Sequence, residues 1–309
     1  MRATASRLPS GDGASLNLAR AVLSPLHMAR LLRARKLARR LALQSYHANH
    51  LHAADALLSL SGKRVLEVGG SLPSRLVNDH YGCRSWTCVD NRLEYAAELD
   101  FEHTGPPDRA TNAGVRHEDS WNYVDGRFEE VATTLTGPFD VIYSSAVLEH
   151  VGELSICLDQ MRRLLAPGGA MFHAVGPVWS GPSGHHVYPS YFRRHGANAG
   201  LQVVAALGPW MHLLKTPEQM LAHLTDIVGA PLARDAVESI YRSPRLSRRI
   251  FPEYIAAFES AGLQVAWIRK WRKSARTADA RRALRALRAT GVDSANYRFD
   301  TFWAVLVRR

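Results

Sequence analysis

Long apolar runs are missing from this chain of 309 residues. None approaches the roughly 18 consecutive apolar residues that a membrane-spanning helix requires, which excludes a transmembrane reading. Cysteine is scarce: Cys83, Cys88 and Cys157 form neither an even disulfide framework nor a CxxC metal pattern. A reducing, cytoplasmic compartment is therefore expected, and no metal site. Acidic residues are thin at two places. Residues 1–60 carry nine Arg or Lys against two Asp, and residues 269–288 carry nine against one. These segments account for more than the whole formal charge of +11, so the remainder is slightly acidic. A basic body built to wrap nucleic acid is excluded, and electrostatic docking belongs to the two appendages. The dinucleotide fingerprint G-x-G-x-x-G is absent as well.

What is present is Lys63-Arg-Val-Leu-Glu-Val-Gly-Gly-Ser-Leu-Pro-Ser74. Val65, Leu66 and Val68 suit a buried parallel strand, and Gly69 and Gly70 let the backbone turn and approach a ligand with no Cβ in the way. Ser71 is the expected N-cap of the next helix, with Pro73 near its first position. A second strand over 84–89 ends at Asp90, about 20 residues past the glycines, where a ribose-binding carboxylate is expected. A third strand lies within 115–124, followed by Asp125 and Gly126. Phe139-Asp-Val-Ile-Tyr143 is a fourth, followed by the small residues Ser144, Ser145 and Ala146, with Glu149 and His150 opening a helix that runs to about Leu165.

Glu67-Val-Gly69, Asp90 one strand later, Phe139-Asp-Val-Ile-Tyr-Ser-Ser-Ala-Val-Leu-Glu-His-Val151 and Leu165-Ala-Pro-Gly-Gly169 before a strand resemble, in that order, the seven-strand S-adenosylmethionine-dependent methyltransferases. The likeness covers about 60–176 and, more loosely, 250–309. It implies an α/β, Rossmann-like doubly wound seven-strand sheet of order 3-2-1-4-5-7-6, with an N-terminal helical extension and a helical lid insertion. It also implies S-adenosyl-L-methionine as cofactor. Glu67, Gly69, Gly70, Ser71, Asp90, Asn91, Asp125, Gly126 and Ser144 would then surround it, Asp90 taking the ribose hydroxyls and Asp125, or else Asp119, the adenine amine. The loop departs from the family at Pro73, which stands where a later glycine is usual. In the quinone-biosynthesis O-methyltransferases a Glu-x-x-Glu-His arrangement holds a divalent metal; here Ala146 stands in the first carboxylate's place, so Glu149 and His150 are read chiefly as shaping the pocket, with catalysis the minor alternative.

The expected organisation is a basic helical extension over 1–60 and a methyltransferase domain over 61–309, with an insertion at about 189–250 and a basic helix at about 274–290. Residues 1–15 read as disordered. The following helix places Leu32, Leu37 and Leu41 on one stripe, and packing over the cofactor pocket is preferred to a peripheral membrane helix or a transit peptide. After a fifth strand over 170–176 comes Pro177-Val-Trp-Ser-Gly-Pro-Ser-Gly-His-His-Val-Tyr188, a loop leaving the carboxyl end of a central strand. His185 and His186 are candidate general bases, and Trp179, Tyr188 and Trp210 candidate substrate walls. The insertion suits a lid or a homodimer contact. The preferred activity is O-methylation of a small-molecule hydroxyl on a sugar, phenol or secondary-metabolite scaffold. RNA or N-methylation, or a non-catalytic binding role for the fold, are the alternatives.

Overall fold

The computed structural model describes residues 25–91, 120–272, 276–291, 293, 297 and 299–309. The segment read as disordered over 1–15, the turn expected at 104–108 and the alternative adenine ligand Asp119 lie outside the described residues.

Among the described residues two helices precede the sheet, α1 (Pro25–Arg40) and α2 (Ser45–Leu58). Pro25 opens α1, where its missing N–H costs nothing. The stripe α1 buries is Leu31, Ala34 and Ala38. Leu32 is 57 % exposed, a correction to the expected stripe, while Leu37 and Leu41 pack half-buried at its border. The small alanines let α1 lie close against α2, and Arg30 turns back to pair with buried Asp55 at 2.7 Å. Arg33, Arg35, Arg39 and Arg40 remain exposed. Ala48, Leu51, Ala53 and Ala54 of α2 enter the same apolar cluster as Val65, Trp86, Tyr143 and Phe172 of the sheet. Burying Leu51 alone contributes about 2 kcal/mol.

The strands are β1 (Arg64–Val68), β2 (Ser85–Asp90), β3 (Trp121–Asp125), β4 (Phe139–Ser145), β5 (Leu165–Val175), β6 (Leu263–Arg272) and β7 (Phe299–Arg308). They form one sheet in the order β3-β2-β1-β4-β5-β7-β6. The first five run parallel, and β7 lies antiparallel to both β5 and β6. The chain winds outward from β1 to β3 and then crosses to β4, so the crevice between β1 and β4 at their carboxyl ends is the topological switch point, where open α/β sheets bind ligands. One face is covered by α1, α2 and the π-helical turn α3 (Arg75–His80). The other is covered by α5 (Leu154–Leu164) and α10 (Phe251–Ser260), with the short α4 (Phe128–Val131) beside them. Gly262, at a φ of +70°, ends α10 as expected of a C-terminal glycine.

Two local expectations are corrected. Ser71 is not an N-cap: the helical backbone starts only at Ser74, because the intervening residues are drawn back by a hydrogen bond from Leu72 N–H to Glu67. Glu149 and His150 lie in a separate 3-10 turn, Leu148–His150, and α5 begins four residues after His150.

The insertion is largely helical: a 3-10 segment Pro189–His195, then α6 (Ala199–Ala206), α7 (Met211–Leu214), α8 (Pro217–Val228) and α9 (Ala230–Tyr241). Thr216 and Gln219 form a reciprocal capping box that fixes the start of α8. The insertion has its own apolar cluster, including Phe192, Val203, Met220, Leu224 and Ile240. The basic helix is α11 (Ala278–Ala289), capped by the Thr277 side chain.

Candidate active site

The turn after β1 is held from three directions. Gly69 adopts a φ of +71°, and a Cβ there would meet the Val147 side chain at 2.5 Å. Its N–H donates to Val89 O at 2.7 Å. Glu67, only 3 % exposed, accepts on one oxygen from Leu72 N–H (2.9 Å), Trp86 Nε1–H (2.8 Å) and the Cys88 thiol (3.3 Å). Burial pushes its pKa up to about 7 against the pull of those donors. Glu67, expected to line the cofactor, is joined here to Leu72, Trp86 and Cys88 and so holds the loop in shape.

Asp90 and Asp125 are paired residues at the carboxyl ends of β2 and β3, and adjacent strands lie about 4.8 Å apart. The Asp90 carbonyl accepts from Gly126 N–H (3.1 Å) and the Tyr123 hydroxyl (3.2 Å), so that end is fixed as well. The Asp125 side chain is exposed, with the Tyr123 hydroxyl at 3.3 Å. Ser71 and Asn91 are both half-buried, each next to one of these features. A nucleoside fits this arrangement: a side-chain-free turn for close approach, one carboxylate for vicinal hydroxyls and a second for an amine.

Ser144 does not join it. β4 continues to Ser145, so alternation turns Ser144 to the opposite face, where it is fully buried with its Oγ 2.7 Å from His173 Nδ1. Ser145 takes the face beneath α2.

The candidates past β4 and β5 serve mainly as struts. Glu149 is 1 % exposed and accepts from Gly176 N–H at 3.0 Å, and burial raises its pKa to about 8. His150 Nδ1 bonds the Arg245 carbonyl at 2.9 Å, tying the 3-10 turn to the segment after α9, and its ring stands edge-on to His186 at 5.0 Å. His186 is buried at a φ of +51°, with Nε2 on the Pro177 carbonyl. Burial, and then the neighbouring His150, lower its pKa to about 3. It staples the loop and is too inaccessible to serve as the expected base. His185 Nδ1 accepts from Val187 N–H at 3.0 Å, which puts the neutral ring's proton on Nε2 and leaves no free lone pair for a base. Tyr188 is 40 % exposed beside Tyr191. Trp179 packs on His212 (4.5 Å) and beneath Arg248 (5.8 Å), within the insertion. Trp210 is a correction: 1 % exposed, its Nε1–H reaches the Ser180 (3.0 Å) and Tyr297 (2.7 Å) carbonyls, and its ring packs on Ala283 and Leu287 of α11. It clasps three segments from a buried position.

One residue that sequence reasoning passed over stands beside Ser145, at the carboxyl end of β4. His50 of α2 places Nδ1 2.7 Å from Ser145 Oγ and sets its ring edge-on to Trp303 of β7 at 5.1 Å. The available signal was three histidines, His47, His50 and His52, within one 14-residue helix. Among the described residues no group of three or more His, Cys, Asp or Glu is placed to hold a metal ion, and no described helix is long and apolar enough to cross a membrane.

A family model described as "Methyltransferase domain" matches residues 37–193. A search of the curated proteins finds no match. Among solved structures the chain is similar to an S-adenosylmethionine-dependent methyltransferase from Mesorhizobium loti at 14 % identity, covering 81 % of this chain and 92 % of that one, with a TM-score of 0.43. It is similar also to a geranyl diphosphate C-methyltransferase from Streptomyces coelicolor at 15 % identity, covering 94 % and 87 %, with a TM-score of 0.45. A match to that family model over half the chain, on a sheet of this order, makes the protein a member of the seven-strand, Rossmann-like S-adenosylmethionine-dependent methyltransferases.

Proposed function

We propose that this chain transfers a methyl group from S-adenosylmethionine to the oxygen of a small-molecule acceptor. The observation that carries the reading is the Glu67-stapled glycine turn beside the paired carboxylates Asp90 and Asp125 at the switch point. Asp90 would accept from the ribose hydroxyls, Asp125 from the adenine amine, and the Gly69 and Gly70 backbone would lie against the rest. Bound there, the cofactor supplies a methyl group on a positively charged sulfur that leaves as a neutral thioether.

The chain's own work is alignment and exclusion of water. The short loop Ser145 to Val147 leaves β4 beside the glycine turn, with Val147 packed on Gly69. The insertion places an apolar helical body after β5, in the position of a lid. A lid suits an acceptor small enough to be enclosed, and the basic charge sits instead on α1 and α11. A hydroxyl must lose its proton as it attacks, and neutral imidazoles near the mouth suit that demand.

Calorimetric titration with S-adenosylhomocysteine tests the reading. Wild type is expected to bind saturably, and Asp90→Ala to bind about 1–3 kcal/mol more weakly, through loss of a charged hydrogen-bond acceptor. Absence of binding to wild type would overturn it.

A further inference from the structure

The strand register lays one row of side chains across four neighbouring strands: Ser145 pairs with Ala174, Ala174 with Trp303, and Trp303 with Arg269. Ala174 is the small member, and the His50 ring fits the space beside it, bonded to Ser145 on one side and edge-on to Trp303 on the other. Tyr46, one turn earlier on α2, lies 5.5 Å from the His50 ring, and Trp271 lies 4.3 Å from Trp303. The imidazole thus stands in a wall of three aromatic rings, of which Tyr46 is 40 % exposed and Trp271 and Trp303 half-buried. In the tautomer that a base at this position requires, Nδ1–H donates to Ser145 Oγ and the lone pair lies on Nε2. Glu67 pairs with Tyr143, and two residues further along each strand come Gly69 and Ser145. The serine and the glycine turn therefore leave adjacent strands at the same level.

We propose that His50 is the proton acceptor of the methyl transfer and that the acceptor is a planar aromatic hydroxyl, a phenol, seated against Tyr46, Trp303 and Trp271. The inference rests on the O-methyltransferase reading above and names its acceptor class and base. The phenolic oxygen bonds to the methyl carbon as the carbon–sulfur bond breaks, and the electron pair of that bond stays on sulfur. The O–H proton passes to Nε2, so the positive charge lost at sulfur reappears on the imidazolium, whose Nδ1–H is held by Ser145 Oγ. Burial and then His47 hold the free ring's pKa down to about 4, which keeps it neutral with a lone pair to offer. Low basicity is sufficient here, because the hydroxyl proton becomes strongly acidic once its oxygen begins to carry the methyl group. A flat acceptor suits ring faces that already meet at tilted and edge-on angles, with Ser145 and the Arg269 guanidinium, 5.0 Å from the Trp271 ring, as polar groups of the same row.

The experiment uses full-length protein and begins with S-adenosylhomocysteine titration, whose failure would count against the methyltransferase reading itself. Labelled methyl transfer is then measured for wild type and His50→Gln with phenol, with cyclohexanol, and with 4-nitrophenol, which is largely ionised at about pH 8. Wild type is expected to methylate both phenols and to leave cyclohexanol unmodified. His50→Gln should bind S-adenosylhomocysteine as wild type does, and its kcat for phenol should fall about 10²- to 10³-fold. Its kcat for 4-nitrophenol, which has no proton to lose, should change less than threefold. Trp303→Leu should raise KM for both phenols about tenfold or more with kcat little changed. Equal losses of His50→Gln on phenol and 4-nitrophenol would overturn the base, and cyclohexanol turnover matching phenol would overturn the acceptor class.

Discussion

Trp86 and Glu67, nineteen positions apart, meet inside the sheet, where the indole Nε1–H donates to the buried carboxyl at 2.8 Å. The same oxygen takes Leu72 N–H and the Cys88 thiol, so one side chain joins β1, β2 and the cofactor loop. A residue two positions before the first glycine thereby sets the shape of the turn.

Glu67→Ala would leave two buried N–H donors without a partner, each worth about 1–3 kcal/mol. Urea unfolding is expected to show a loss of about 3 kcal/mol, with S-adenosylhomocysteine affinity falling by more than tenfold. Glu67→Gln keeps a carbonyl oxygen for the same donors and should cost under about 1 kcal/mol. An alanine variant with unaltered affinity would show that the loop keeps its shape unaided.

Gly69→Ala places a methyl against Val147 at a φ of +71°. Strain and overlap together are expected to cost about 2–4 kcal/mol. Adding Val147→Ala removes the two methyl overlaps at 2.5 Å and leaves a Cβ contact at 3.0 Å with the backbone strain of about 1–2 kcal/mol, so the double variant should recover part of both stability and cofactor affinity. Thermal melts with and without S-adenosylhomocysteine measure both.

Glu149 carries a folded-state pKa of about 8 against an ordinary 4.5, with burial as the cause. Folding therefore favours its protonated form. The contribution is complete below about pH 4.5 and is lost as pH climbs through 8, at up to about 1.4 kcal/mol per pH unit. Glu149→Gln can still accept from Gly176 N–H, so it should match wild type near pH 5 and exceed it in stability near pH 9. Urea midpoints across that range provide the check.

On the acid side the sign reverses. Burial lowers His173, His186 and His212 to about 3, so these rings stay neutral when folded and take up protons only on unfolding. Their contribution is present above about pH 6.5 and drains away as pH falls towards 3. Urea midpoints should drop steeply between about pH 6.5 and 5, and His173→Asn should flatten part of that slope.

Much of the fold was legible because its signals are local. The apolar run before Gly69, the strand ending at Asp90 and the punctuation around the insertion each announce themselves in a few residues. Resemblance to a known family then ordered the strands. What was hidden depends on where an element stops or what covers it. β4 runs two residues further than expected, and that alone sends Ser144 to the face of His173 and Ser145 to the face beneath α2. His185 and His186 sit in a loop that reads as open, yet Val187 N–H takes the Nδ1 lone pair of His185 and burial closes off His186, whose Nε2–H is given to the Pro177 carbonyl. His50 lay unseen because a histidine on an amphipathic helix acquires meaning only from the row of side chains beneath it. Trp210 looked like a pocket wall and is a clasp because its indole N–H finds two carbonyls far away in sequence.

The separate apolar cluster of the insertion bears on how such a protein can diversify. Its helices bury Phe192, Val203, Met220, Leu224 and Ile240 among themselves. Mutations there can accumulate, and helices can lengthen or be exchanged, without repacking the layers that hold the sheet. The insertion can thus drift in sequence while the packing of the sheet keeps the cofactor loop intact.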